Sequence, residues 1–591
     1  MRNFFAADGG GWTRIFLVFL LVTAIMTSTA QNSSAAGPKP AAAPDVIFVH
    51  GDIVPGVVSF VTKGGTNEFR GATFEPRVQA LAVRDGRIVA AGTDAEIRKL
   101  AGPKTKVVDL GGHFVLPGLN DAHVHLANAG AEKLNVNLLG VRSLAEMQTR
   151  IAGRARTTPA SEWLVGAGWD HTLWQDPKLP SRQELDAVTG DHPAIFVRVD
   201  GHIAVANTAG LKWAGITRDT PDAAGGKIDH DARGEPTGIL RETVKDDLLA
   251  RLPKPSAAQR RRALELALED AAQHGLTSVQ DNSTWDDFLA LEDLEREGKV
   301  PIRVSEWLKF DDPVDVLIAH RAQHPADDPL LHTSMLKGFM DGSLGSRTAA
   351  LLAPYSDDPG NSGLPRYEQE KLNATTVERA RAGFQIGFHA IGDRAAQMAL
   401  DAFAAAEADL RQRGAKDSTA LRFRIEHDQV ITPTQFDEYK RLGVVASMQP
   451  NHLLTDMHWA MERLGPERAR TSYAWKQFLD DGVPLAFGTD YPVEPITPFR
   501  GIYAAVTRMD ESGAKTYYPE QRLSREQAIF AYTYGGAFAQ FAEKDKGTLA
   551  PGYLADFVVL DRDLTKVPPA EILKTKVLRT VVGGKTVYEA K

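Results

Sequence analysis

The stretch GLNDAHVHL, Gly118–Leu126, follows the apolar run HFVLPG and sets His123 and His125 two positions apart. Side chains alternate across a β-strand, so residues i and i+2 share one face. Read as the end of a buried strand, the stretch aims two imidazoles the same way, where they can grip one ion. By itself a His-x-His pair is more often two locally bonded rings than a metal site. Further ligands, and a fold that gathers them, have to come from the rest of the chain.

Seven later β runs supply such a fold: GLTSVQD (275–281), IRVSEWLKF (302–310), SMLKGFMD (334–341), GFQIGFHA (383–390), LRFRIEH (421–427), GVVASMQP (443–450) and PLAFGTD (484–490). They alternate with helical segments, which with the first run predicts an α/β fold, a (β/α)8 TIM-like barrel. Helix starts keep the same phase, because Ser256 with Gln259 and Thr432 with Gln435 form capping boxes and Pro433 occupies the first helical position.

Barrel active sites form at the C-terminal strand ends. His123 and His125 lie there on strand one, Lys337 on strand four, His389 on strand five, His427 on strand six and Asp490 on strand eight. Each has an ordinary alternative: Lys337 pairing with a carboxylate, His389 and His427 capping helices, Asp490 in an Asx turn. Their joint arrival at one mouth favours a site.

The flanks read differently. DVIFVHGDIV, VQALAVRDGRIVAAG and TKVVDLGGHFVLPG near the start, and KGTLAPGYLADFVVLD and LRTVVGGKTVYEA at the end, are β-rich runs split by Gly turns. We expect residues 45–115 and 546–591 to pair into one small β-sandwich, flanking a barrel at 116–545. About 150 residues separate strands one and two, far beyond an ordinary connection. This insertion, 130–270, holds VGAGWDHTLWQ and AIFVRVDGHIAVANTAG and reads as a substrate-shaping subdomain. Trp169, Asp170, His171 and His202 are either functional or merely structural there.

Arg2 and Arg14 precede the apolar run IFLVFLLVTAIM, with small residues at Ser28 and Ala30. That layout predicts a signal peptide over 1–30 and export to the periplasm or medium. An uncleaved anchor is the alternative, although the run falls short of the roughly 20 residues that span a bilayer. Residues 31–44 read as a flexible linker. The chain has 591 residues, no Cys and a formal net charge of -8. Thiolate ligands and disulfides are therefore excluded. The charge is spread without long runs, so neither nucleic acid nor a membrane surface is an expected partner. A small-molecule substrate is expected, and homo-oligomerisation is left open.

With these motifs assembled, the sequence resembles the amidohydrolase superfamily, and within it amidohydrolase family 3, which includes N-substituted formamide deformylases. The resemblance runs from Asp45 onward through LPGLNDAHVHL, GWDHTLW, VDGHIAVANTAGL, KGFMDGSLGSRTAALLAPY, FHAIGDRA, IEHDQ, FGTDYP and GTLAPGYLADFVVLD. It implies that His123 and His125 bind the more buried metal, that Lys337 is carboxylated and bridges two metals, and that His389 and His427 bind the second. Asp490 is implied as a ligand and proton shuttle. An unmodified Lys337 is an ammonium with no acceptor to offer, so a mononuclear site stays open. Imidazoles and carboxylates without thiolates suit one or two Zn²⁺ ions best.

The expected reaction is hydrolysis of a non-peptide C–N bond, amide or formamide-like, by water activated at the metal, with Asp490 moving the proton. His202 is a candidate oxyanion-stabilising residue. Trp169, Asp341 and Arg347 are candidate substrate-binding residues; a surface salt bridge is the alternative for Arg347. His452, His458 and Trp459 lie where they can line the pocket. An ester, lactone or cyclic amidine is the alternative substrate on the same site, and a non-catalytic binding scaffold the more distant one.

Overall fold

Eight parallel strands form the central sheet: β1 (Leu119–Val124), β2 (Leu276–Asp281), β3 (Arg303–Lys309), β4 (Leu331–Phe339), β5 (Gln385–Ala390), β6 (Arg424–His427), β7 (Val445–Met448) and β8 (Leu485–Phe487). The computed structural model describes residues 42–63 and 66–591. The signal-peptide reading of 1–30 and most of the linker therefore lie outside the described residues. No helix among the described residues is long and apolar enough to cross a membrane.

Neighbouring strands pair in sequence order, each to the next, and β1 pairs with β2. Closure comes where β8 returns to β1: Asp490 N donates to His123 O at 2.8 Å and His125 N to Tyr491 O at 2.8 Å. Thr489 ties the same edge, its backbone N donating to buried Asp121 Oδ1 at 2.8 Å and its hydroxyl to Oδ2 at 2.5 Å. Gly488 permits this approach, since a Cβ there would sit 2.6 Å from His123 N. The fold is thus a (β/α)8 TIM-like barrel, and its seam delivers Asp490 beside the His-x-His pair. Both expected capping boxes are present, at Ser256–Gln259 and Thr432–Gln435.

The β-rich segments 46–117 and 557–589 meet in one sandwich. A four-stranded sheet (Arg87–Gly92, Ala80–Arg84, Val46–Val49, Lys106–Asp109) faces a five-stranded sheet whose last three strands, Phe557–Leu560, Val577–Val582 and Lys585–Glu589, come from the C-terminal end. Phe48 and Phe557 pack edge to face, 4.8 Å between centroids, in its core.

The insertion is a six-stranded sheet in the order Val136–Asn137, Leu164–Trp169, Ala194–Arg198, Ile203–Ala206, Pro236–Glu242, Gly226–His230. Its apolar side chains, among them Leu138, Met147, Phe196, Val205 and Leu240, form clusters separate from the barrel core. It is a module with its own interior, joined to the barrel at the end of β1 and before β2.

Candidate metal centre

At the C-terminal end of the barrel, His123, His125, His427, His452 and Asp490 converge. Ligand-capable atoms of His123, His125 and Asp490 lie within 4.8 Å of one another, as do those of His427, His452 and Asp490. Asp490 belongs to both groups. Its Oδ1 is 3.0 Å from His125 Nε2 and 3.6 Å from His123 Nε2, and its Oδ2 is 3.2 Å from His452 Nε2.

Hydrogen bonds to the outer nitrogens fix how these imidazoles face. His123 Nδ1 donates to Glu426 Oε2 at 2.8 Å, and His125 Nδ1 donates to the carbonyl of Asn282 at 3.2 Å. With their protons outward, both rings turn bare Nε2 lone pairs towards the carboxylate. Lys337 Nζ meets the His123 lone pair at 3.0 Å, but the His125 lone pair, 3.0 Å from Asp490 Oδ1, faces a carboxylate and repels it unless a cation lies between them. His427 Nδ1 and Asp490 Oδ1 are also buried without a hydrogen-bond partner. The donor set, imidazole nitrogen and carboxylate oxygen with no thiolate, fits a first-row divalent ion.

Backbone conformation aims two of these groups. Strand alternation would send Glu426 and His427 to opposite faces. A φ of +83° at His427 breaks the alternation, so both reach the centre; Asp490 sits at φ +60°. Left-handed φ in a non-glycine residue is strain that packing must hold, and it collects at functional sites.

Lys337, also buried, brings Nζ to 3.0 Å from His123 Nε2 and 5.1 Å from the rings of Trp307 and Phe339. Burial pushes its ammonium down to about 8, opposed by Glu426 and Asp490. Burial alone would push the Asp490 carboxyl up, but the N–H that His452 directs at Oδ2 favours the charged form, and the carboxyl lies well below the usual carboxylate range. Burial pushes His123 and His427 well below the ordinary imidazole value, so both stay neutral, the form that ligates a metal.

His389 is held at the edge of this group: its Nε2 donates to Gly342 O at 2.9 Å, leaving Nδ1 free, and its ring lies 4.4 Å from that of His427. Asp341 is fully buried and takes the backbone N–H groups of Ala350, Ile391 and Gly392 at 2.9 to 3.1 Å. It fastens the loop after β4 to the end of β5 rather than presenting a carboxylate to substrate. Arg347 takes the alternative weighed for it, pairing with Asp357 at 2.8 Å on an exposed loop.

The insertion residues are not brought to the cluster. Trp169 is wholly buried in the insertion core, its indole Nε1 donating to Phe196 O at 2.8 Å, so its bulk and its one donor are both spent on packing. His202 lies exposed in the turn just before the strand Ile203–Ala206 and pairs with Glu242 at 3.0 Å. Asp170 pairs with Arg198 at 2.7 Å.

Two functional groups escape sequence reasoning. His452 reads from the sequence only as a pocket-lining residue, because it comes from the short helix Asn451–Asp456 after β7 rather than from a strand end. Glu426 gives no signal of its own because it directly precedes His427. Its charge-assisted bond holds the His123 tautomer, and Glu426→Gln is expected to weaken divalent-metal binding about 10- to 100-fold. A chelator-competition titration checks this; unchanged affinity would remove Glu426 from the metal's support.

Comparisons with known proteins follow the same line. The sequence pattern of the amidohydrolase family matches residues 106–588. The chain is 33% identical to the putative amidohydrolase YtcJ of Bacillus subtilis, covering 87% of this chain and 96% of that one. It is 28% identical to the N-substituted formamide deformylase of Arthrobacter pascens, covering 86% and 95%. A crystal structure of a metal-dependent hydrolase from Pyrococcus horikoshii superposes with a TM-score of 0.68 at 31% identity, covering 89% of this chain and 99% of that one. The chain belongs to the amidohydrolase family, as a metal-dependent hydrolase.

Proposed function

We propose that this hydrolase cleaves the C–N bond of a small, non-peptide amide or formamide, using zinc held by His123, His125, His427 and Asp490, with His389 and a carboxylated Lys337 completing a second position. The observation that carries the reading is the set of proton-free lone pairs converging on Asp490 in a chain related over most of its length to a formamide deformylase. A divalent ion there brings the pKa of a water towards about 7 and polarises a carbonyl oxygen. The residues do the rest. Asp490, held as a carboxylate, accepts the proton of the attacking water and delivers it to the leaving nitrogen. The bonds from Nδ1 to Glu426 and to the Asn282 carbonyl hold the imidazoles of His123 and His125 with Nε2 turned to the centre. The apolar run at Ile15–Met26 supports export, so the substrate is sought outside the cytoplasm.

The test is metal content per chain alongside a screen of N-formyl and N-acyl amines, with esters and lactones in parallel. About two equivalents of zinc and amide turnover support the reading; turnover confined to esters or lactones overturns the bond assignment. Lys337 adds a pH signature. The free amine, the form that takes up CO2, gains as pH rises through about 8 and is lost below. At fixed dissolved CO2, the bicarbonate-dependent gain in bound metal is expected to grow between roughly pH 7 and 9 and to vanish near pH 6. A flat profile would leave Lys337 unmodified.

A further inference from the structure

We infer that His452 is a positioning residue: its Nε2–H clamps Asp490 Oδ2, fixing the rotation of the carboxylate so that Oδ1 alone faces His123 and His125. The role deepens the amide-hydrolysis reading and rests on it for its kinetic consequence. An aspartate carboxylate turns easily about its last side-chain bond, a broad, two-fold torsion. Here Oδ1 has no hydrogen-bond donor, so the opposite oxygen must supply the restraint. His452 is the donor on that side, at 3.2 Å.

His452 is itself built in. Its backbone N donates to Gln449 O at 3.1 Å, and its carbonyl accepts from Thr455 Oγ1 at 2.9 Å. The same hydroxyl shares its one proton with Glu494 Oε1 at 2.7 Å, and Glu494 is paired with Arg500. The ring is almost completely buried. A residue fastened at backbone and neighbour in this way returns its ring to one place.

Geometry separates this role from that of another metal ligand. His123, His125 and His389 each have one ring nitrogen held by an oxygen within 3.2 Å, which leaves the other to face the centre, while His427 keeps Nδ1 buried and unbonded; none of the four donates a hydrogen bond to Asp490. The outer nitrogen of His452 has no such partner, since Glu494 Oε1 is 3.9 Å away. Its inner nitrogen already has a use, as donor to Asp490.

The experiment compares His452→Ala with His452→Gln, whose side-chain amide places an N–H near the position of Nε2. With metal-loaded full-length protein, the Ala variant is expected to keep the wild-type metal content while kcat falls about 10- to 100-fold and KM stays within about threefold. His452→Gln should recover most of kcat. A crystal structure of either variant gives a readout independent of substrate: the Asp490 carboxylate should be rotated or disordered in the Ala variant and ordered in the Gln variant. Loss of one metal equivalent in the Ala variant would make His452 a ligand and overturn the inference. So would wild-type kcat in both variants, equal loss in both, or an unmoved Asp490. Should the Ala variant fail to fold, Asp490 order and kcat in the Gln variant decide. Should the wild type turn over no amide, the amide reading fails while the orientation of Asp490 still decides the role of His452.

Discussion

Asp490→Asn is expected to lower kcat/KM for amide hydrolysis by about 10²- to 10⁴-fold, the usual worth of a positioned proton-transfer group, with bound metal and melting temperature close to wild type. Asparagine is the informative replacement because of the backbone. Asp490 sits at φ +60°, a region that Asn and Asp enter far more readily than other side chains, so Ala would add strain to the chemical change. Asn also keeps a carbonyl oxygen that can accept the His452 N–H. What it loses is the charge that takes up a proton. Nearly wild-type turnover with metal retained would remove Asp490 from proton transfer and leave it a ligand alone. Loss of metal in step with activity would make ligation the larger of its roles.

Much of this molecule is legible in one dimension, and the reasons are physical. The barrel strands are short runs rich in β-branched and apolar residues, punctuated by Gly and followed by capped helices, and all eight sequence runs correspond to barrel strands. His123, His125, Lys337, His389, His427 and Asp490 are legible because a barrel forces strand ends together. Residues whose position depends on tertiary aim are not. Glu426 and His427 are neighbours in sequence, and alternation assigns them opposite faces; only the left-handed turn at His427 brings both to the centre. His452 stands on a helix whose placement depends on the loop after β7. Trp169 and Asp341 fail as substrate-facing residues because both are completely buried, which residue type alone does not reveal. Arg424 carries no sequence signal, since a cation in a strand is ordinarily expected at a surface.

Arg424→Met is expected to cost about 3–5 kcal/mol of stability, the usual penalty for stripping one partner from a buried ion pair. Arg424 is completely buried inside the barrel, with its guanidinium 5.0 Å from the ring centroid of Trp307. It donates to Ala122 O at 3.1 Å, to Ser447 Oγ at 2.9 Å and to Gln280, and pairs with Glu426 Oε1 at 2.9 Å. Methionine fills much of the volume and satisfies none of those acceptors. It also leaves the Glu426 carboxylate buried without its guanidinium, with His123 hydrogen-bonded to the other oxygen. That uncompensated charge raises the proton affinity of His123, and a doubly protonated imidazole offers no lone pair to a metal. Denaturant unfolding of the metal-free protein therefore measures the ion-pair loss, and chelator competition measures the weakening at His123. Adding Glu426→Gln to Arg424→Met removes the orphaned charge and is expected to restore roughly half of the lost stability, because neighbours in one network do not add independently. The double variant does not recover metal affinity, because the neutral amide is the poorer support for His123. A single variant as stable as wild type would mean that the buried arginine is not held by its charge.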